Sequence, residues 1–463
     1  MKFRKQTAII AGVLTGVLVC PLAQAGFKIK ADNTSLNIGA QLRMREQTFP
    51  ALKEDVFKHS ANYRVRLNFD FRSGDNLRVF IQPQKVGVFG NNETGAAVDF
   101  GTPENFDFHQ AFLDWKLPHR LDLRLGRFEQ TLADQRLVGD FRWSQRGRSF
   151  DGARLTWGTP SNHFDVIAFQ VAGEVNALTG GGPLPAGSGN SQNLYIFHWL
   201  NTSLLPRTRL ELTYLRDNNL IGIPFSGQAA LSDSERNTFG IFIARTDEKG
   251  RYLSPFYTTL LMHPDEAGAY WRGEAYGQTG NRGPATGNQS IKAYMFSAQL
   301  GWYFGNHAKW HPLIWGGVDY LSGDKNVKTG DYGAFDTLYP TNHAYYGYMD
   351  YFLLSIPGDT HGYGLQDSFV SANFNPAPRM GLQFAMHNFR FANTASGVSS
   401  EFGNELDVTY AYKVQRHVIL LFGYSHMFSG NGSHDLFAIT GGKKGIKQGK
   451  NPNFLSAQVN VAF

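Results

Sequence analysis

Between residues 61 and 73 the chain reads ANYRVRLNFDFRS. Tyr63, Val65, Leu67, Phe69 and Phe71 fall on one side of an extended chain, and Arg64, Arg66, Asn68, Asp70 and Arg72 on the other. A period of two predicts a β-strand with one apolar and one polar face. LNIGAQLRMRE at 36–46 repeats it, setting Leu36, Ile38, Ala40, Leu42 and Met44 against Asn37, Gln41, Arg43 and Arg45. FLSAQVNVAF at 454–463 does so again. Many runs approach the length of about 9–11 residues that a tilted strand needs to cross a bilayer, well beyond the usual soluble strand.

About 18 such runs are expected, near 36–46, 61–73, 76–86, 106–117, 120–128, 151–158, 163–171, 193–200, 208–217, 236–246, 268–278, 291–303, 311–322, 367–375, 379–391, 403–413, 417–428 and 454–463. GRYLSPFYTTLLMH at 250–263 reads either as a strand or as a long turn, so a count of 16 stays open. The connections alternate. SGD at 73–75, LPHR at 117–120, GTPSN at 158–162, NPAP at 375–378 and VQRH at 414–417 are short. Segments 87–105, 129–150, 172–192, 217–235, 323–366 and 429–453 are long. Outer-membrane barrels have this habit, with short turns in the periplasm and long loops outside. The expected fold is all-β: one transmembrane antiparallel barrel over 26–463, apolar face to lipid, polar face to a wet lumen. Closure would leave no sheet edge unpaired in lipid. No linker, composition break or repeat divides residues 26–463.

The N-terminus, MKFRKQTAIIAGVLTGVLVCPLAQAGF, is different in kind. Lys2, Arg4 and Lys5 precede an apolar run, Ala8–Cys20, that is shorter than the roughly 20 residues of a spanning helix. Ala23-Gln24-Ala25 supplies a small-x-small cleavage site. Residues 1–25 therefore read as a signal peptide. A lipoprotein signal ending at Cys20 is disfavoured by the bulky Val19 before it. Cys20 is the only cysteine, so the mature chain carries no disulfide. Without the signal, 41 Lys+Arg face 38 Asp+Glu, a balance that points away from nucleic acid. No later apolar run is long enough for a membrane helix, although aromatic residues make up 14% of the chain.

The arginines are a local matter. GRFEQTLADQRLVGDFRWSQRGRSFDGARLTW, residues 126–157, holds Arg127, Arg136, Arg142, Arg146, Arg148 and Arg154. Arg43, Arg45, Arg64, Arg66, Arg124, Arg154, Arg209, Arg272 and Lys292 fall on or near the polar face of candidate strands. Carboxylates such as Asp70, Asp122, Glu211 and Glu274 can pair with about half of these and merely stiffen the wall. A surplus would set up a positive field that draws anions. If loop 129–150 folds inward, Arg136, Arg146 and Arg148 face the solute and Asp151 steadies one of them. Guanidinium forks suit carboxylates through paired hydrogen bonds.

The 126–157 stretch, FDTLYPTNHAYYGYMD at 335–350 and GNELDVTYAYKVQRHVILLFGYSHMF at 403–428 resemble segments of the alginate export family of outer-membrane proteins. The resemblance covers nearly all of 26–463. It implies a monomeric barrel of 18 strands in the outer membrane of a Gram-negative-type bacterium. The best-known member passes the polyuronate alginate outward through an arginine-lined lumen. A lumen role is implied for Arg127, Arg136, Arg146, Arg148 and Arg154. The local wording, DQR…GRSFDG, differs from that of the alginate-secreting member, so the resemblance implies the barrel rather than the solute.

Tyr339, Tyr345, Tyr346, Tyr348 and Tyr351 read as an aromatic girdle or loop packing before a platform for sugar rings. His343, His361, His387, His417 and His426 lack metal-ligand spacing, and no nucleophile elbow or paired acid and base is present, so neither a metal nor a cofactor is expected. The expected function is a passive channel for anionic solutes, foremost an acidic oligo- or polysaccharide such as alginate. A general or small-anion porin and a barrel enzyme are the alternatives. Outer-membrane lipid and possible periplasmic export components are the expected partners.

Overall fold

The computed structural model describes residues 27–49, 58–90, 105–171, 192–219, 234–253, 260–261, 266–283, 288–327, 329–353 and 356–463. The signal segment lies outside the described residues, as do 172–191, 220–233 and most of 87–105.

Nineteen strands form one sheet: β1 (Phe27–Ala31), β2 (Thr34–Phe49), β3 (Lys58–Ser73), β4 (Leu77–Val88), β5 (Asn105–Leu117), β6 (Leu121–Phe128), β7 (Phe150–Thr159), β8 (Asn162–Gln170), β9 (Gln192–Asn201), β10 (Thr208–Asn219), β11 (Ser234–Arg245), β12 (Gly268–Arg282), β13 (Gln289–Tyr303), β14 (Leu313–Leu321), β15 (Leu365–Phe374), β16 (Met380–Arg390), β17 (Glu401–Gln415), β18 (Val418–Ser429) and β19 (Asn453–Ala462). From β2 onward each strand pairs antiparallel with the next, and β19 returns to β2. Eighteen strands thus close the barrel, the larger of the two expected counts. Short β1 lies on the same edge of β2 as β19, below it: β1 takes residues 34–38 and β19 takes 41–47. At their junction Ala40 N donates to Phe463 O at 2.8 Å, and Phe463 N to Ala40 O at 3.0 Å. Gly39 makes room, since a Cβ there would stand 2.6 Å from the Phe463 carbonyl oxygen.

The alternation seen in sequence becomes two surfaces. Along β13, Tyr294, Phe296, Ala298, Leu300 and Trp302 point outward and are exposed, while the residues alternating with them are buried. Arg45 and Arg136 are among the largest fully buried side chains. Apolar outside and polar or charged inside, with buried carboxylates such as Glu211, Glu274 and Glu405 beside the arginines, is the inverse of a soluble domain and suits a barrel in lipid. Among the described residues no helix is long and apolar enough to cross a membrane.

Two features depart from expectation. The inward face is not polar throughout: Ile167, Phe169, Leu194, Ile196, Met295 and Leu321 also point inward. They pack against Leu132, Leu137, Val138, Phe335, Tyr339 and Tyr346, carried by two chain segments that enter the lumen. Burying apolar area at about 25 cal/mol per Å² holds those segments there. The second departure is at 246–267. GRYLSPFYTTLLMH is no strand in its described part; it belongs to a long connection at the end where the other connections are short. Its Leu253 and Leu260 are buried, and Asn375 Nδ2 donates to Leu260 O at 2.8 Å.

Candidate channel constriction

The loop after β6, residues 129–149, turns into the lumen because the wall arginines bind its backbone. Arg43 Nη1 donates to Arg142 O at 2.7 Å and to Ser144 O at 3.3 Å. Arg45 Nη2 donates to Trp143 O, and its guanidinium lies 3.8 Å above the Trp143 ring. Arg64 Nη1 reaches Gln145 O at 3.3 Å, and Arg66 Nη2 reaches Arg146 O at 2.8 Å. The four lie on the inward faces of β2 and β3, with Arg43 directly opposite Arg64. A loop crossing a lumen has carbonyls without ladder partners, and cationic donors satisfy them. The expected solute-facing arginines are thus braces first.

The other limb of the loop is fixed across the barrel. Arg136 is fully buried between β12, β13 and β14: it pairs with Glu274 and donates to Asp319 at 2.8 Å and Ser297 Oγ at 3.2 Å. Tyr346 Oη accepts a further bond at 2.9 Å. Arg272 pairs with Asp134 and Glu274. Two guanidinium groups here face three carboxylates, Asp134, Glu274 and Asp319, so Arg136 and Arg272 clamp the loop rather than face solute.

A second inward segment, 329–353, lies on the first. Gly139 N donates to Tyr339 O, Tyr339 N to Leu137 O and Thr341 N to Gln135 O, each at 2.9 Å. Arg148 Nη1 donates to Pro340 O at 2.8 Å. Tyr339 Oη donates to Asp217 at 2.6 Å, and the His343 and Trp143 rings stack at 3.8 Å. Gly347 has φ +78°, and a Cβ there would come within 2.5 Å of the Glu405 carboxylate. The tyrosine-rich segment is loop packing inside the barrel, not a girdle.

The remaining expected residues divide by which face they occupy. Arg124 points inward and forks onto Asp114 at 2.5 and 2.9 Å. Arg209 pairs with Glu211 at 2.5 Å, Arg154 donates to Gln130 at 3.3 Å, and Arg146 approaches Asp107 at 3.5 Å. Arg127 and Asp151 are a correction. They pair with each other at 2.6 Å on the outward face, because Phe128, Phe150 and Gly152 take the inward positions. Asp151 therefore steadies no loop arginine. Lys292 is likewise outward and pairs with Asp331 at 2.6 Å.

Sequence reading passed over Arg142, which is 65% exposed and pairs with Asp140 at 2.5 Å. Its membership of the arginine-rich stretch was the available signal. Nearby Glu129 accepts from His109 Nε2 at 2.8 Å and faces Arg66 at 3.5 Å. Burial pushes the Glu129 carboxyl up, but the His109 hydrogen bond, then Arg66 and Arg142, outweigh it and hold it down at about 2.

At the short-turn end the lumen opens into a cavity of about 1080 Å³. Its charged lining among the described residues is Arg43, Arg64, Lys309, Arg379 and Lys413, with no carboxylate. Lys309 and Arg379 sit in short turns, where no alternation marks them as inward. Arg43 and Arg64 join this vestibule to the braced loop above.

Residues 34–437 match the alginate export family. Solved structures match in fold. OccK11 (OpdR) of Pseudomonas aeruginosa is 10% identical, with 95% of this chain and 98% of that one covered, at a TM-score of 0.55. OccAB1 of Acinetobacter baumannii is 9% identical, with 92% and 96% covered, at 0.59. Among curated proteins none matches in sequence.

Proposed function

The chain belongs to the alginate export family of outer-membrane barrels, and from that premise we propose that it is a passive channel for anionic, carboxylate-bearing solutes. Family and fold are those of channel proteins rather than enzymes. The vestibule carries the reading: among the described residues, five cationic side chains line it and no carboxylate does. In a low-dielectric wall such a cluster raises the local concentration of anions. Arg142, exposed on the constriction loop, is the next cationic group a solute meets.

The braced loops favour small carboxylates over a polymer chain. A loop tied to β2 and β3 by four arginines and to β12–β14 by Arg136 leaves little room for a sugar polymer. Export of an acidic polysaccharide such as alginate is the second reading. Family membership favours it, and it requires the loop to swing aside. The barrel acts as a monomer in either case.

Bilayer recordings test the function. Under a salt gradient the reversal potential is expected to report anion preference. Monomeric uronate is expected to reduce the current more readily than long oligouronates. Cation preference would overturn the proposal, and stronger block by long chains would select the polymer reading.

A further inference from the structure

On the lumen wall at the short-turn end of β8 and β9, two imidazoles converge on one carboxylate. Asp165 and His198 are directly opposite each other across the strand pair, and His163 lies two residues before Asp165 on the same face. His198 Nδ1 is 3.3 Å from Asp165 Oδ2, and His163 Nε2 is 3.6 Å from the same oxygen. All three donor atoms lie within 4.8 Å of one another. Metal–ligand bonds of about 2.0–2.1 Å give a tetrahedral site donor–donor edges of about 3.3 Å. The two distances to Asp165 Oδ2, 3.3 and 3.6 Å, are close to that edge.

The outer nitrogens of both rings are occupied. His163 Nδ1 bonds the Thr159 carbonyl oxygen at 3.1 Å, and His198 Nε2 bonds Glu211 Oε2 at 2.8 Å. A carbonyl and a carboxylate accept only, so both outer nitrogens carry the proton. In neutral rings the inner nitrogens are then lone pairs, and both point at an anionic oxygen. Acceptor facing acceptor is repulsive unless a cation lies between them or the ring takes up a second proton. Thr156 Oγ1 takes the other Asp165 oxygen and turns Oδ2 toward the rings. Glu211 is held in turn by Arg209 at 2.5 Å and by the Ala133 backbone N–H at 3.0 Å. Such outer partners fix tautomer and orientation in metal sites.

We propose that His163 Nε2, Asp165 Oδ2 and His198 Nδ1 bind one Zn²⁺-class divalent ion on the lumen wall, with a fourth position open to water or a solute carboxylate. Two imidazoles and a carboxylate suit a borderline transition-metal ion better than Ca²⁺ or Mg²⁺. Through Glu211 and Ala133 the site touches the start of the constriction loop.

Co²⁺ titration of the folded, chelator-treated barrel in detergent micelles tests this by visible absorption. One Co²⁺ per barrel is expected, with the intense bands of four-coordinate geometry, displaced by Zn²⁺. His163→Gln is expected to weaken binding at least tenfold, and Glu211→Gln by about 10–100-fold. Heat-shifted migration of the folded band checks each variant's fold; His163, the most exposed of the three, is the safest to replace. Binding no stronger than in the His163→Gln/His198→Gln double variant would overturn the site. That outcome would leave His198 as an imidazolium held between Asp165 and Glu211. The readout is metal binding, so it is independent of whether the channel prefers anions.

Discussion

Arg66 Nη2 donates to the carbonyl oxygen of Arg146 at 2.8 Å, so an arginine of the wall holds the backbone of an arginine in the loop. Arg43, Arg45 and Arg64 repeat the relationship along 142–145. The loop's position is therefore set by wall side chains. Arg43→Ala/Arg66→Ala removes two charge-assisted donors, each contributing about 1.5–3 kcal/mol where dry. The barrel is expected to keep its heat-shifted folded band, while single-channel currents become larger and noisier. Unchanged currents would mean that this loop does not limit the pore.

Arg136 and Arg142 lie six residues apart and are expected to behave in opposite ways. Arg136→Ala leaves Asp319 buried without its cation and Glu274 with Arg272 alone, a loss of about 3–5 kcal/mol. The urea midpoint of the folded band should fall accordingly. Arg142→Ala, at a mostly exposed position, should change stability by only about 0.5 kcal/mol and instead lower anion preference. Equal stability losses in the two variants would contradict the clamp.

The vestibule predicts a salt-dependent effect. Lys309→Gln/Lys413→Gln should reduce the anion-to-cation permeability ratio at low salt. Near 1 M, where the Debye length is about 3 Å, variant and wild type should converge. A ratio insensitive to both lysines would place selectivity elsewhere in the lumen.

Much of this was legible in the chain. The strands 36–46, 61–73 and 454–463 announce themselves by strict alternation, and the structure pairs all three at the closing seam. Arg43 and Arg64 follow from the same parity. Arg127 and Asp151 did not, because parity there is set by Phe128 and Phe150, apolar residues that face inward. An inward phenylalanine contradicts the lipid-facing rule unless a loop fills the lumen, and no local pattern announces that loop. His163, Asp165 and His198 were missed for a related reason. They meet through strand register, 35 residues apart in sequence, so no short motif joins them.

Acid is expected to loosen the constriction. The folded Glu129 carboxyl is held at about 2, below its ordinary 4.5. A depressed acid contributes stability that is complete above the unfolded value and lost as pH falls through the folded one. Currents should therefore grow noisier between about pH 4.5 and pH 2. Glu129→Gln should show that noise already at neutral pH. Noise rising with the same midpoint in Glu129→Gln would assign it to another group.

Topology is open to direct labelling. Lys443 lies in the long β18–β19 connection and Asp75 in the short β3–β4 turn, and both are exposed. With long connections outside, Lys443→Cys should react with an impermeant maleimide on intact cells. Asp75→Cys should react only after the outer membrane is opened. The reverse pattern would invert the barrel.

The two ends of the lumen are unlike. One holds a wide space bordered by Arg43, Arg64, Lys309, Arg379 and Lys413; the other is filled by 129–149 and 329–353. Fixed charge gathered at one mouth of an asymmetric conduit makes ionic current depend on the sign of the voltage. Anions driven from the charged mouth are concentrated ahead of the narrow part, and those driven the other way are not. Such a molecule is expected to rectify: placed in a membrane in a single orientation, it should pass charge more freely in one direction than in the other.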